Sequence, residues 1–193
     1  MSRLLWLAAL TFGAMLGPMQ GAVAQEHAPE AAQQDAAASD ATAEATHQVS
    51  QLISQKFGVA RAKAEQISAA VMSAASKYSL PPALLLAIIS VESRFKEKAR
   101  GANGATGLMQ VVPAAHRQLV RNIDLTEATA NIEAGSAILH GYVQSARGDV
   151  GAALKSYGGS KAYAEKISLR AKAFAPQFGS GTDAGTNTET TGD

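Results

Sequence analysis

The run Leu84-Leu85-Leu86-Ala87-Ile88-Ile89, continued by Val91, constrains this chain more than any other segment, because as a helix it is apolar on nearly every face. Such a helix has no side for water and must be enclosed by other elements. It is entered through Pro81 and Pro82, which fit a first turn where a missing amide proton costs nothing, and Ser79 is placed to cap it. The pattern carries the helix to about Arg94. The enclosing elements also read as helices. Val49, Leu52, Ile53 and Phe57 form one stripe at three and four spacing, and Ile67, Ala70, Val71 and Ala74 form a second that ends near Tyr78. Asn131, Ile132, Ile138, Leu139, Tyr142 and Val143 continue the pattern, followed by a short helix from Val150 to Tyr157. No run alternates in the strand manner, so the expected class is all-α.

Glu92 stands directly behind the apolar run, at the end of a helix whose dipole disfavours an anion. If it is buried there, desolvation and the dipole both raise its pKa, which is what a general acid needs near neutral pH. The alternative is a surface glutamate on an emerging last turn. Helix geometry alone leaves both open.

Gly101, Gly104 and Gly107 then interrupt any helix before Leu108-Met109-Gln110-Val111-Val112-Pro113 resumes an apolar course. A glycine-rich loop lets backbone approach a ligand closely, and it equally serves as a plain tight turn. It lacks the closing Lys-Ser/Thr of a phosphate loop, and no strand precedes it as a dinucleotide fingerprint requires.

Charge divides the chain into parts. Residues 1–24 hold Arg3, the apolar run Leu4 to Leu16 and Ala22-Val23-Ala24, the pattern of an export signal cleaved before Gln25. Its core is shorter than the roughly 20 apolar residues that span a bilayer, and no later run is long enough, so no stable membrane span is expected after cleavage. Residues 25–47 carry five acidic and no basic side chains among Ala, Gln, Ser and Thr, and are expected to be a disordered leader; residues 179–193, without an apolar side chain larger than Ala, are expected to be a disordered tail. Between them, residues 48–178 hold 16 Lys or Arg against 8 Asp or Glu, a net +8 in a chain whose total is +1. That charge suits an anionic partner. Nucleic acid is not expected, since the densest cluster, Arg94, Lys96, Lys98 and Arg100, interleaves only Phe95. Without cysteine there is no thiolate metal site or Cys nucleophile, and His116 and His140 are too far apart for a short ligand motif, so neither a metal nor a cofactor is expected.

Taken together, Glu92-Ser93-x-Phe95, Ala99, Gly104-Ala105-x-Gly107-Leu108-Met109-Gln110-x-x-Pro113, Asn131-Ile132-x-x-Gly135 and Ala153-Leu154-x-x-Tyr157 resemble the soluble-type lytic transglycosylases, relatives of goose-type lysozyme. The resemblance covers roughly residues 48–178 and implies a compact all-α lysozyme-like domain, a member of the α+β lysozyme-like superfamily. It implies that Glu92 is the single catalytic acid/base. Ser93 and Phe95 are then its structural neighbours, ending the helix and anchoring the loop, with Gly104 and Ala105 structural beside the site. Gly107, Leu108, Met109 and Gln110 are implied to line the sugar groove, Gln110 by hydrogen bonding and Met109 by packing on a sugar face, while Tyr157 positions substrate. Core packing for Leu108 and Met109, and a surface hydroxyl for Tyr157, are the competing readings. Two positions depart from the family: its serine nine residues after the glutamate is Gly101 here, and its Ala-Tyr-Asn-x-Gly becomes Ser156-Tyr157-Gly158-Gly159, without the asparagine.

The implied substrate is peptidoglycan glycan strands, cleaved at the β-1,4 bond between N-acetylmuramic acid and N-acetylglucosamine with a 1,6-anhydro product. A non-catalytic wall-binding module and a hydrolytic lysozyme remain as alternatives, the latter if Glu97, Asp124, Glu127 or Glu133 folds across the groove as a second carboxylate. The implied location is the periplasm. Wall recycling and local opening of the wall for a secretion, conjugation or motility complex are equally compatible with the sequence.

Overall fold

The computed structural model describes residues 28–178, with side chains from Ser39 onward. Seven α-helices follow one another: α1 (Ala28–Phe57), α2 (Arg61–Tyr78), α3 (Pro82–Glu92), α4 (Arg117–Val120), α5 (Ala128–Ser145), α6 (Val150–Gly158) and α7 (Lys161–Phe174). Short 3₁₀ turns lie at Ala102–Gly104 and Ala175–Phe178. The described residues contain no strand, only isolated bridges from Thr106 to Arg100 and to Val111. The fold of the described residues is all-α.

The apolar helix α3 is buried along its length, from Ala83 to Ser90. It packs chiefly on α7, while α2 lies between α1 and α5 and α6 joins α5 to α7. Leu85, Leu86, Ile88 and Ile89 are fully excluded from water and meet Ile67, Ile132, Leu139, Leu154 and Ile167 in one core. Burial of such side chains contributes about 1.5 to 3 kcal/mol each, which fixes α3 more firmly than its helix propensity does. The last residue of α3 is therefore held on a rigid support.

Three expectations are corrected. Ser79 does not cap α3; it ends α2 in the left-handed conformation, at φ 51°, with its N–H bonded to Ala75 O and Ser76 O. Pro81 stands at the N-cap of α3 without a side-chain cap, because proline's own φ already suits that entry. Second, α3 stops at Glu92 rather than Arg94, since Arg94 and Phe95 both take positive φ, 53° and 62°, and turn the chain away. Third, α1 begins at Ala28, inside the stretch that composition assigns to a disordered leader. Few apolar residues argue against a packed core but not against a helix, and Ala is the strongest helix former. Bonds from Gln48 Nε2 to Glu44 Oε1 (2.9 Å) and from Thr46 Oγ1 to Thr42 O (2.7 Å) follow the helix, and core burial starts at Val49. The signal-like segment 1–24 and the tail 179–193 lie outside the described residues.

Candidate active site

Glu92 is the final residue of α3 and is partly buried. Ser93 closes the helix, its N–H and its Oγ both donating to Ile89 O at 3.1 Å. The left-handed Arg94 and Phe95 then reverse the chain, and the buried Phe95 ring packs on Phe57 of α1 with centroids 4.5 Å apart. These contacts fix where the glutamate emerges. Burial raises its pKa above the ordinary 4.5; a hydrogen bond from Tyr163 and the charge of Lys166 pull the other way without cancelling it.

Tyr163 was not singled out by the sequence. It lies in the first turn of α7, where Ser160 Oγ caps the helix by accepting from Tyr163 N at 3.1 Å. Its hydroxyl donates to Glu92 Oε1 at 2.5 Å. Burial and the nearby Glu92 push the Tyr163 phenol far above its usual range, so it stays a donor. Lys166 stands one turn further along α7. The faint signal that could have found this helix is Ala164, Ile167, Ala171 and Phe174 at three and four spacing behind a capping serine.

The loop between α3 and α4 forms the other side. Asn131 of α5, completely buried, clamps it: Oδ1 accepts from Met109 N at 2.8 Å and Nδ2 donates to Thr106 O at 2.8 Å, while a second Nδ2 bond, to Leu125 O at 2.9 Å, holds the segment that leads into α5. Gly107 has φ 81°, and a Cβ there falls closer than 3.0 Å to the Asn131 amide and to Leu125 O, so both conformation and space require glycine. Thr106 and Val111 exchange backbone bonds of 2.9 and 3.0 Å across the turn. Gly104 O accepts from Thr106 Oγ1, and Ala105 O accepts from Gly101 N, so both residues shape the turn.

This clamp overturns part of the expected groove lining. Leu108 and Met109 are fully buried. Met109 cannot pack on a sugar face, because its side chain lies against Gly135, where a Cβ would meet the Met109 Sδ at 2.6 Å. The segment is core on its apolar side. Gln110 also differs from expectation: its Nε2 donates inward to Gly107 O at 2.9 Å and Ala99 O at 3.3 Å, and its Oε1 occupies the space that a side chain at Gly101 would take. Gly101 itself is extended, with φ −127°. Tyr157 joins the two sides, its hydroxyl donating to Met109 O at 2.9 Å. Burial holds that phenol protonated, with the charge of Glu92 adding to the effect. A small cleft of about 50 Å³ opens beside it, lined by Gln110, His116, Tyr142 and Tyr157. His116, Tyr142 and Tyr157 meet edge to face at 6.4 Å steps along it. Two larger hollows, of about 760 and 680 Å³, lie along α1 and on the outer side of α6 and α7, and neither includes Glu92.

The other carboxylates have partners of their own. Glu97 accepts from Lys63 Nζ at 2.8 Å and Ala128 N at 3.1 Å, and Glu127 caps α5 by accepting from Ala130 N at 2.6 Å. Asp124 accepts from Thr126, and Glu133 from Lys77 and Tyr78. His140 is engaged with Tyr78 O at 2.9 Å, and among the described residues no group of His, Asp or Glu could hold a metal ion.

A partly buried glutamate at the end of α3, with a tyrosine hydroxyl bonded to it and a glycine-rich turn following it in the chain, is an arrangement suited to general acid chemistry. The chain belongs to the transglycosylase SLT domain family, whose model matches residues 69–176. It is also similar to the solved structure of an inactive mutant of the lytic transglycosylase Slt from Pseudomonas aeruginosa, at 22% identity and a TM-score of 0.44. That match covers 57% of this chain and 21% of the other, so the chain corresponds to about a fifth of that enzyme's length.

Proposed function

We propose that this chain cleaves peptidoglycan strands by the one-acid route, with Glu92 acting first as acid and then as base. The observation that carries the reading is the balance on Glu92: burial favours its protonated form, while Tyr163 and Lys166 favour the anion. Protonated Glu92 donates to the glycosidic oxygen as the bond from C1 of N-acetylmuramic acid breaks, and the substrate's acetamido group stabilises the cationic C1. The Glu92 carboxylate then takes the proton of the C6 hydroxyl as its oxygen bonds to C1, closing the 1,6-anhydro ring. One proton is given and one regained, and no water enters. A group that works in both states benefits from opposed influences, and Tyr163 remains a donor throughout.

The engagement of Glu97, Asp124, Glu127 and Glu133 elsewhere supports this route over a two-carboxylate hydrolysis. Mass spectrometry of muropeptides released by the wild type and by Glu92→Gln tests it. Products lighter than hydrolytic ones by one water, and lost in the variant, are expected; hydrated products would assign a lysozyme, and equal release by both proteins would remove Glu92 from the chemistry. Export to the periplasm follows from the signal-like residues 1–24, and a mature N-terminus at Gln25 in the secreted protein is the matching observation. A role in a secretion, conjugation or motility complex is tested by deleting residues 180–193: loss of complex formation with turnover intact supports it, and loss of turnover counts against it.

A further inference from the structure

Two adjacent glycines end α6, and they are glycine for different reasons. Gly159 has φ 78°, and a Cβ there would meet nothing within 4 Å, so its backbone conformation selects glycine. Gly158 is the last residue of the helix, without a positive φ, where alanine would be the better helix former. What excludes a side chain at 158 is the Tyr163 ring: a Cβ would lie closer than 3.0 Å to Cγ, Cδ1 and Cε1. These are atoms of a rigid ring, and Tyr163 N is tied to Ser160 Oγ at the start of α7, so the ring has little freedom to withdraw. The same ring carries the hydroxyl that donates to Glu92 Oε1 at 2.5 Å.

We propose that Gly158 is a positioning residue for the reaction: the missing side chain leaves the space in which the Tyr163 ring lies, and thereby sets its hydroxyl on Glu92. The inference rests on the function proposed above for Glu92. It also gives the absence of the family's asparagine a physical role, since the space of that side chain is filled by an aromatic from the next helix. Gly158 acts only through Tyr163. The other groups whose charge reaches Glu92 are Lys166 of α7 and Tyr157 of α6, whereas the three atoms nearest a Cβ at 158, chain neighbours apart, all belong to the Tyr163 ring.

The test compares Gly158→Ala, Tyr163→Phe and the double variant in the full chain, reading the Glu92 carboxyl by NMR titration and turnover on purified peptidoglycan at saturation. Tyr163→Phe removes a bond that favours the anion, so the Glu92 midpoint moves to higher pH and kcat falls by about tenfold, the scale of one hydrogen bond to a charged group. Gly158→Ala is expected to move the midpoint in the same direction and lower kcat up to a similar extent, with KM little changed. The double variant should match Tyr163→Phe alone. A midpoint that shifts in Tyr163→Phe but stays put in Gly158→Ala overturns the proposal, as does full additivity. Should Gly158→Ala fail to fold, Gly158→Ala combined with Tyr163→Ala must fold, since the obstructing ring is gone; failure of that pair also overturns it. The titration needs no catalysis, so a coupled midpoint in a protein that leaves peptidoglycan intact would sustain the positioning role and refute the activity.

Discussion

The two sides of the site are built on different principles. The loop from Ser93 to Val111 is held through its backbone: Asn131 binds it at two points, Met109 N and Thr106 O, Thr106 and Val111 bond to each other, and Leu108 and Met109 anchor it in the core. The side from α6 and α7 is held by side chains, with Tyr157 reaching Met109 O and Tyr163 reaching Glu92. A backbone-clamped wall fixes shape, whereas a wall of side chains fixes chemistry. Residues on the first side are therefore expected to show up in stability, and those on the second in rate and pH dependence.

The largest effect is expected at Glu92, the proposed acid that the two sides share. Glu92→Gln should fold normally and lose at least about 10²-fold in turnover, the low end for a general acid; a folded variant keeping most activity would refute the assignment. The loop side is broken most directly by Asn131→Ala, which takes the partner from Met109 N and Leu125 O and leaves Thr106 O only its bond from Val111 N. A destabilisation of roughly 2 to 4 kcal/mol is expected in denaturant unfolding, and a smaller one would mean that the loop is held by its packing alone.

A finer comparison uses pH. The folded pKa of Glu92 is raised above 4.5, so the folded state holds that proton more tightly than the unfolded chain does. Stability associated with Glu92 is then highest below the ordinary carboxylate range and declines as pH rises through its raised pKa. Glu92→Gln should gain stability relative to the wild type across that window, and the alkaline limb of wild-type turnover should fall in the same window. Parallel pH curves for the two proteins would contradict the burial of Glu92.

Smaller effects are expected from Gly101→Ser and from salt. A Cβ at Gly101 must displace the Gln110 Oε1, the far end of a flexible side chain, so the fold survives while the bonds to Gly107 O and Ala99 O loosen. The serine is then expected to change turnover by only a few-fold, because one hydroxyl is gained as Gln110 is unseated. A large gain would show that Gln110 obstructs the groove as it now lies. Binding of the +8 segment 48–178 to acidic wall should weaken once the screening length falls well below about 8 Å, with turnover at saturation unchanged.

The sequence by itself determined the helical class, the buried α3 and the place of Glu92 at its end, since each depends on periodicity or local order along the chain. It also supplied the family motif, yet only as a string: it left Leu108 and Met109 between core and groove, and the structure puts both in the core because Gly135 and Asn131 draw the segment onto α5. Asn131 was legible as part of a motif, but its role as a clamp was not. The start of α1 was misread because low apolar content speaks to packing, not to helix formation. The helix most easily overlooked was α7, whose apolar positions are largely alanine and whose decisive contact joins Tyr163 to a residue 71 positions earlier. Only tertiary structure decided that contact, and with it the room at Gly158, because the proximity of two side chains follows from how helices pack and not from their spacing in the chain.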